Sequence, residues 1–258
     1  MVPAILSPHL DDAVLSCWHL LARPGALVVI NVFTGAPASA EAPAWWDRLT
    51  GATDSGQRAR ERVEEDRRAL ALAGRTPVNL GFLDEQYRET DQPLAPLTAR
   101  LEAVLVPGTH VHAPAAFGGH PDHALVRAAA LELRRAGFAL SLYADLPHAT
   151  LRGWPGWVTG RGTAPSQDLA AALWERSLAE TGVSPESMAP TVHELDADAH
   201  ARKLAAIQAY GTQLPALAEL AGRPLIDRET LGYEVVWELP STATASPAPA
   251  HQRVAPRP

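Results

Sequence analysis

Short apolar runs alternate with segments of helical period along almost the whole of this chain, and that alternation constrains its fold more than any other feature. Runs at 2–6, 26–33, 78–82, 110–113, 140–144, 191–195 and 233–239 read as buried strands, while 57–73, 94–105, 121–136, 167–180 and 197–210 carry apolar residues at helical spacing. After the first run, Val14, Cys17, Trp18 and Leu21 share one helical face until Pro24 and Gly25 stop it. Successive β/α units return each strand parallel to the last, so the expected fold class is α/β: a Rossmann-like, mostly parallel sheet flanked by helices. At 258 residues the chain accommodates one large core, and a single domain over 1–239 is expected. From 240 to 258, Ala, Pro, Ser and Thr dominate with no core-forming pattern, which predicts a disordered tail. Two long stretches, 34–56 and 147–165, hold Trp45, Trp46, Trp154 and Trp157 and read as rim loops.

Charge and cysteine content exclude several classes of function. The net charge of −7 and pI near 5.8 argue against a nucleic-acid partner or an anionic membrane surface, both of which need clustered Lys and Arg. The one basic stretch, Arg58 to Arg68, is interleaved with Glu61, Glu64, Glu65 and Asp66 and reads as a solvated helix face. A single cysteine, Cys17, excludes an intramolecular disulfide, and no apolar run is long enough to cross a bilayer. His9, Asp11 and Asp12 stand where the apolar core of a signal peptide would have to be, so a cytoplasmic location is expected.

Two clusters carry the chemistry: Pro8-His9-Leu10-Asp11-Asp12 and His120-Pro121-Asp122-His123. Each directly follows a predicted strand of the same polarity, which puts both on the sheet edge where open α/β folds bind ligands. Each offers imidazole and carboxylate, the N/O donor set that suits zinc, with Fe²⁺, Co²⁺ or Mn²⁺ as alternatives. His9 and Asp12 are three apart, so one turn can aim both at a point while Asp11 stays in the same cleft. His120 and His123 are also three apart, and their spacing does not choose which of them binds metal. His112 ends the strand feeding the second cluster and is a candidate supporting group. His19, His110, His148, His193, His200 and His251 lack clustered partners and read as structural or solvent-exposed.

Together with Gly119 before His120, these clusters resemble those of the PIG-L, or LmbE-like, family of zinc-dependent N-deacetylases, whose members remove acetyl groups from N-acetylglucosaminyl and related amino-sugar compounds. The likeness runs from about residue 5 to 210, with weaker echoes at Arg62-Val63-Glu64-Glu65, at Gly81-Phe82-Leu83-Asp84 and at 203–210. It implies one zinc held by His9, Asp12 and His123, with Asp11 as general base. It makes His120 the group facing the developing oxyanion and Asp122 the carboxylate that orients His120 and favours its charged form. It puts Arg62 and Asp84 near the substrate. Three protein ligands leave one position open for water, whose pKa zinc lowers to about 7.

The chain also departs from the family pattern. Leu10 stands where proline is common and Ala13 where glutamate is common. Many members carry a tyrosine two residues before the first histidine of the second motif, where this chain has Gly118; Tyr87 or Tyr143 is then the candidate phenol. The expected substrate is a small N-acetyl amino-sugar compound, such as a secondary-metabolite glycoside, with the four tryptophans as a candidate stacking wall. The alternatives are an amidase or esterase for another acyl group and, on the same fold, a non-catalytic sugar-binding protein.

Overall fold

A computed structural model describes residues 2–37, 43–160, 165–221 and 225–241. The strands are β1 (Pro3–Ser7), β2 (Val28–Asn31), β3 (Pro77–Asn79), β4 (His110–Pro114), β5 (Ala139–Tyr143), β6 (Pro190–Glu194) and β7 (Tyr233–Glu238). The helices are α1 (Asp12–Ser16), α2 (Trp18–Leu21), α3 (Trp45–Leu49), α4 (Ser55–Ala71), α5 (Leu94–Val104), α6 (Pro121–Arg135), α7 (Gly156–Thr159), α8 (Pro165–Ala179), α9 (Ala197–Ile207), α10 (Leu214–Ala221) and α11 (Arg228–Leu231). The strands form one sheet in the order β3-β2-β1-β4-β5-β7-β6, parallel from β3 through β5, with β7 antiparallel to both β5 and β6.

All seven expected strands are present, and the fold is the α/β architecture the alternation predicts. The central strands are buried on both faces because helices cover both: Ala4, Ile5 and Leu6 of β1, Val111 and Ala113 of β4, and Leu142 of β5 have no exposed surface. Strand order reverses between β1 and β4, since β2 and β3 lie to one side and β5 to the other. That reversal opens a crevice beyond the carboxyl ends of β1 and β4, where the two motif-bearing turns emerge.

Three local expectations change. The first helix is broken at Cys17 (φ −130, ψ 30), because the Glu234 carboxylate accepts the Trp18 and His19 N–H groups at 2.8 Å and starts a new helix there. The stretch 34–56 contains α3 as well as loop, and 147–165 contains α7. The charged helix α4 is solvated only in part: Glu64 and Arg67 pair on the surface, whereas Arg58, Arg62, Glu65 and Asp66 are buried. Of the expected tail, 242–258 lies outside the described residues, as does His251; the Pro240 carbonyl is held by Arg134.

Candidate metal and active site

The turn between β1 and α1 is fixed by Ser7, whose Oγ donates to the His9 carbonyl at 2.7 Å and accepts the Ala13 N–H at 3.0 Å. Asp12 Oδ2 accepts the His9 N–H at 2.8 Å, which locks the two side chains into one tight loop. Across the crevice, Pro121 occupies the first turn of α6, where a missing N–H costs nothing, and His120 caps that helix by accepting the Asp122 N–H at Nδ1, 3.2 Å away. His123 then lies one turn in, without exposed surface.

These two turns bring His9, Asp12 and His123 together. His9 Nδ1 and His123 Nε2 are 3.3 Å apart, and each is 3.4 Å from Asp12 Oδ2. Donors at about 2.0–2.1 Å from a tetrahedral zinc lie about 3.3–3.4 Å from one another, so this triangle fits a zinc ion. A second set of convergent atoms, on His9, His120 and Asp122, shares the His9 ring.

The surroundings orient both imidazoles. His123 Nδ1 bonds Asp145 Oδ2 at 2.8 Å, and His9 Nε2 bonds Asp122 Oδ2 at 3.1 Å, which leaves the opposite nitrogen of each ring pointing into the triangle. Asp145 also accepts the Phe117 N–H at 3.0 Å, tying the loop before His120 to the same carboxylate. The carboxylates call for positive charge. Burial works against the cation of His9, yet Asp12 and Asp122 push its pKa well above the ordinary imidazole value. His123 also rises against burial, through Asp12 and Asp145. Asp12 is held far below the usual carboxylate range by His123 and His9 despite burial. A divalent cation is the compensation such a set suits.

Asp11 lines the same cavity as His9 and Asp12. Burial and the charge of Asp12 raise its pKa to about 6, against Arg62, His9 and His123. His120 also lines the cavity, and its ring is 5.1 Å from that of His123. Burial and the cations at His9 and His123 depress its pKa to about 3, opposite to the charged form expected from sequence. Asp122 holds the His120 ring through its backbone N–H and not through its carboxylate, which is taken by His9, by the Glu85 N–H at 3.0 Å and by Arg88 at 2.6 Å.

Arg62 and Asp84 meet at 3.2 Å on the cavity wall, and Asp84 Oδ2 is 3.9 Å from His9 Nε2. Buried beside them, Arg62 Nε and Gln86 Oε1 have no partner among the described residues. The four tryptophans separate. Trp45 and Trp46 line the cavity, with Trp46 Nε1 donating to Gln213 at 2.8 Å. Trp154 is buried against Trp174, and Trp157 packs on that same ring, each at 5.8 Å between centroids.

Other expectations fall away. His112 stacks on His110, 4.6 Å between centroids, away from the metal triangle. Tyr143 is core, its hydroxyl donating to the Leu6 carbonyl, and the Tyr87 hydroxyl is spent on Asp47. Conversely, sequence reasoning missed Arg88, Asp145 and His148. Asp145 and His148 follow β5 just as the two motifs follow β1 and β4, and that position is the one signal that marks them. The His148 ring stands 4.9 Å from His123 and 5.8 Å from His120 on the cavity wall.

Comparison with known proteins agrees with this architecture. Residues 4–133 match the family model for PIG-L, GlcNAc-PI de-N-acetylase. The 2'-N-acetylparomamine deacetylase of Streptomyces fradiae is 37% identical over an alignment 166 residues long that covers 57% of this chain and 58% of that protein, so the likeness spans less than two thirds of its length. Among solved structures, the A40926 pseudoaglycone deacetylase Dbv21 is 27% identical over 92% of this chain and 96% of its own, with a TM-score of 0.68. A triple mutant of a deacetylase of the teicoplanin biosynthetic pathway (Orf2*T) is 25% identical over 92% and 97%, also at 0.68. With both motifs, their crevice and half the chain inside the family model, the protein belongs to the PIG-L family.

Proposed function

We propose that this protein is a metal-dependent N-deacetylase that hydrolyses the N-acetyl group of an amino-sugar-containing small molecule, of the secondary-metabolite type on which its relatives act. The observation that carries this reading is the triangle of His9, Asp12 and His123 donor atoms with Asp11 in the same cavity. Zinc held by that triangle supplies Lewis acidity toward the acetyl carbonyl and makes water acidic near neutral pH. Fe²⁺, Co²⁺ or Mn²⁺ suits the same donors.

The chain's own residues do the remaining work. Asp11, with its raised pKa, takes the proton of the attacking water as the oxygen–carbon bond forms. His120, whose Nδ1 accepts the Asp122 N–H, has its other ring nitrogen free to donate to the carbonyl oxygen as it gains negative charge. The carbon–nitrogen bond then breaks, and the amine departs with the proton that Asp11 holds, giving acetate and the free amine. Asp122 acts by orienting His9. Arg62, Asp84 and Gln86 on the cavity wall suit sugar hydroxyls, and Trp45, half exposed at the cavity, suits the apolar face of a pyranose.

The test is acetate release from a panel of N-acetyl amino sugars and their glycosides, 2'-N-acetylparomamine included, by protein as purified, after chelation and after zinc is restored. Release that disappears with chelation and returns with zinc is expected. Release indifferent to chelation, or none from any panel member, would sink the proposal.

A further inference from the structure

Two observations meet at His148. First, Gly118 leaves a side-chain space empty at its own position, and His148 fills it: a Cβ built on Gly118 would lie 3.1 Å from His148 Cβ and 3.4 Å from Nδ1. An imidazole from the β5 end of the sheet therefore occupies the room that a side chain two residues before His120 would use. Second, that ring is placed for chemistry but unused structurally. It borders the cavity beside His120, edge-on to the ligand candidate His123, and among the described residues no group bonds either of its nitrogens. A buried imidazole normally finds a partner in the fold, so an unclaimed ring facing a reactive cavity is available to a ligand.

We infer that His148 is a second catalytic donor of this active site, giving its ring N–H to the carbonyl oxygen of the bound acyl group as that oxygen becomes an oxyanion. This rests on the N-deacetylase reading. His120 and His148 then flank His123 as a pair of non-ligating imidazoles, and two donors aimed at one developing charge stabilise the transition state more than the neutral carbonyl. Gly118 is part of the arrangement: at φ +78 it keeps the loop clear of a ring that any larger residue would displace.

His148 also forms a wall between this cavity and an outer groove lined by Leu151, Leu173 and Trp174, so an alanine would merge the two. His148→Phe keeps the wall and removes the donor; His148→Gln restores an N–H. Both are expected to keep wild-type zinc content by elemental analysis and a wild-type melting temperature. His148→Phe should lower kcat about 100-fold with KM within about twofold, and His148→Gln should recover most of that loss. Independently of any substrate, titration calorimetry should show methylphosphonate, a tetrahedral anion, binding zinc-loaded His148→Phe at least about tenfold more weakly than wild type. Wild-type methylphosphonate affinity in His148→Phe would overturn the inference. Failure of the wild-type protein to release acetate would instead count against the deacetylase reading, and the methylphosphonate comparison would still decide the role of His148.

Discussion

At the scale of single residues, the proposed function divides the site into candidate metal ligands, groups that orient them and groups that face the cavity, and each is expected to fail differently when altered. His123→Ala removes a proposed ligand and is expected to lose both bound zinc and activity. Asp11→Asn leaves the triangle intact, so it should keep zinc and fold while kcat falls about 100-fold or more. Elemental analysis beside acetate release separates the two, and a fully active Asp11→Asn protein would overturn the base assignment. Asp145 bonds His123 at Nδ1, the ring nitrogen turned away from the triangle, and accepts the Phe117 N–H. Asp145→Asn should therefore weaken zinc affinity by about 10- to 100-fold, read by competition with a chelating dye. The candidate donors all lie in the two motifs, where three-residue spacing on a turn brings side chains together locally, but His123 was preferred to His120 only through the family resemblance. Asp145, Arg88 and His148 were not, since each reaches the site from a segment with no motif of its own.

Among elements, the least expected feature is the hub at Glu234. This residue is the second of β7, caps α2, bonds the His19 ring at 2.6 Å and pairs with Lys203 of α9 at 2.6 Å, with almost no exposed surface. Lys203 and two helix-start N–H groups compensate a carboxylate that burial alone would neutralise. Its pKa falls from an ordinary 4.5 to about 2, driven against burial by Lys203 and His19. A carboxylate with a depressed folded-state pKa stabilises the fold above its unfolded value, and that contribution disappears as pH falls from about 4.5 toward 2. The size is about 3 kcal/mol near neutrality. Glu234→Gln should melt lower at pH 7 and show a flatter decline in melting temperature between pH 5 and about 2. Lys203→Met strands the buried carboxylate and should cost about 3–5 kcal/mol in chemical denaturation. A Lys203→Met protein as stable as wild type would show that the hub contributes nothing net. Periodicity predicted one helix across Cys17 because Val14, Cys17, Trp18 and Leu21 do share a face; the break comes from a side chain more than two hundred residues away.

For the molecule as a whole, the candidate site is placed by the reversal of strand order between β1 and β4, which brings two distant turns to one crevice. Among the described residues no helix is long and apolar enough to cross a membrane. We propose that 242–258 adds nothing to this framework: a chain ending at Ser241, which keeps the Arg134 bonds to Pro240, should match the full chain in melting temperature and zinc content. A marked fall in either would assign those residues a structural role. The amino-acid sequence by itself determined the seven strands, the parallel α/β class and the ligand motifs, because strand burial and turn-borne ligands obey rules that act over a few neighbouring residues. Only the tertiary structure decided which carboxylate serves which histidine, which tryptophans face the cavity, which charges of α4 are buried, and that His148 fills the space beside Gly118. Those outcomes depend on contacts between segments far apart in the chain, and residue spacing carries no information about them.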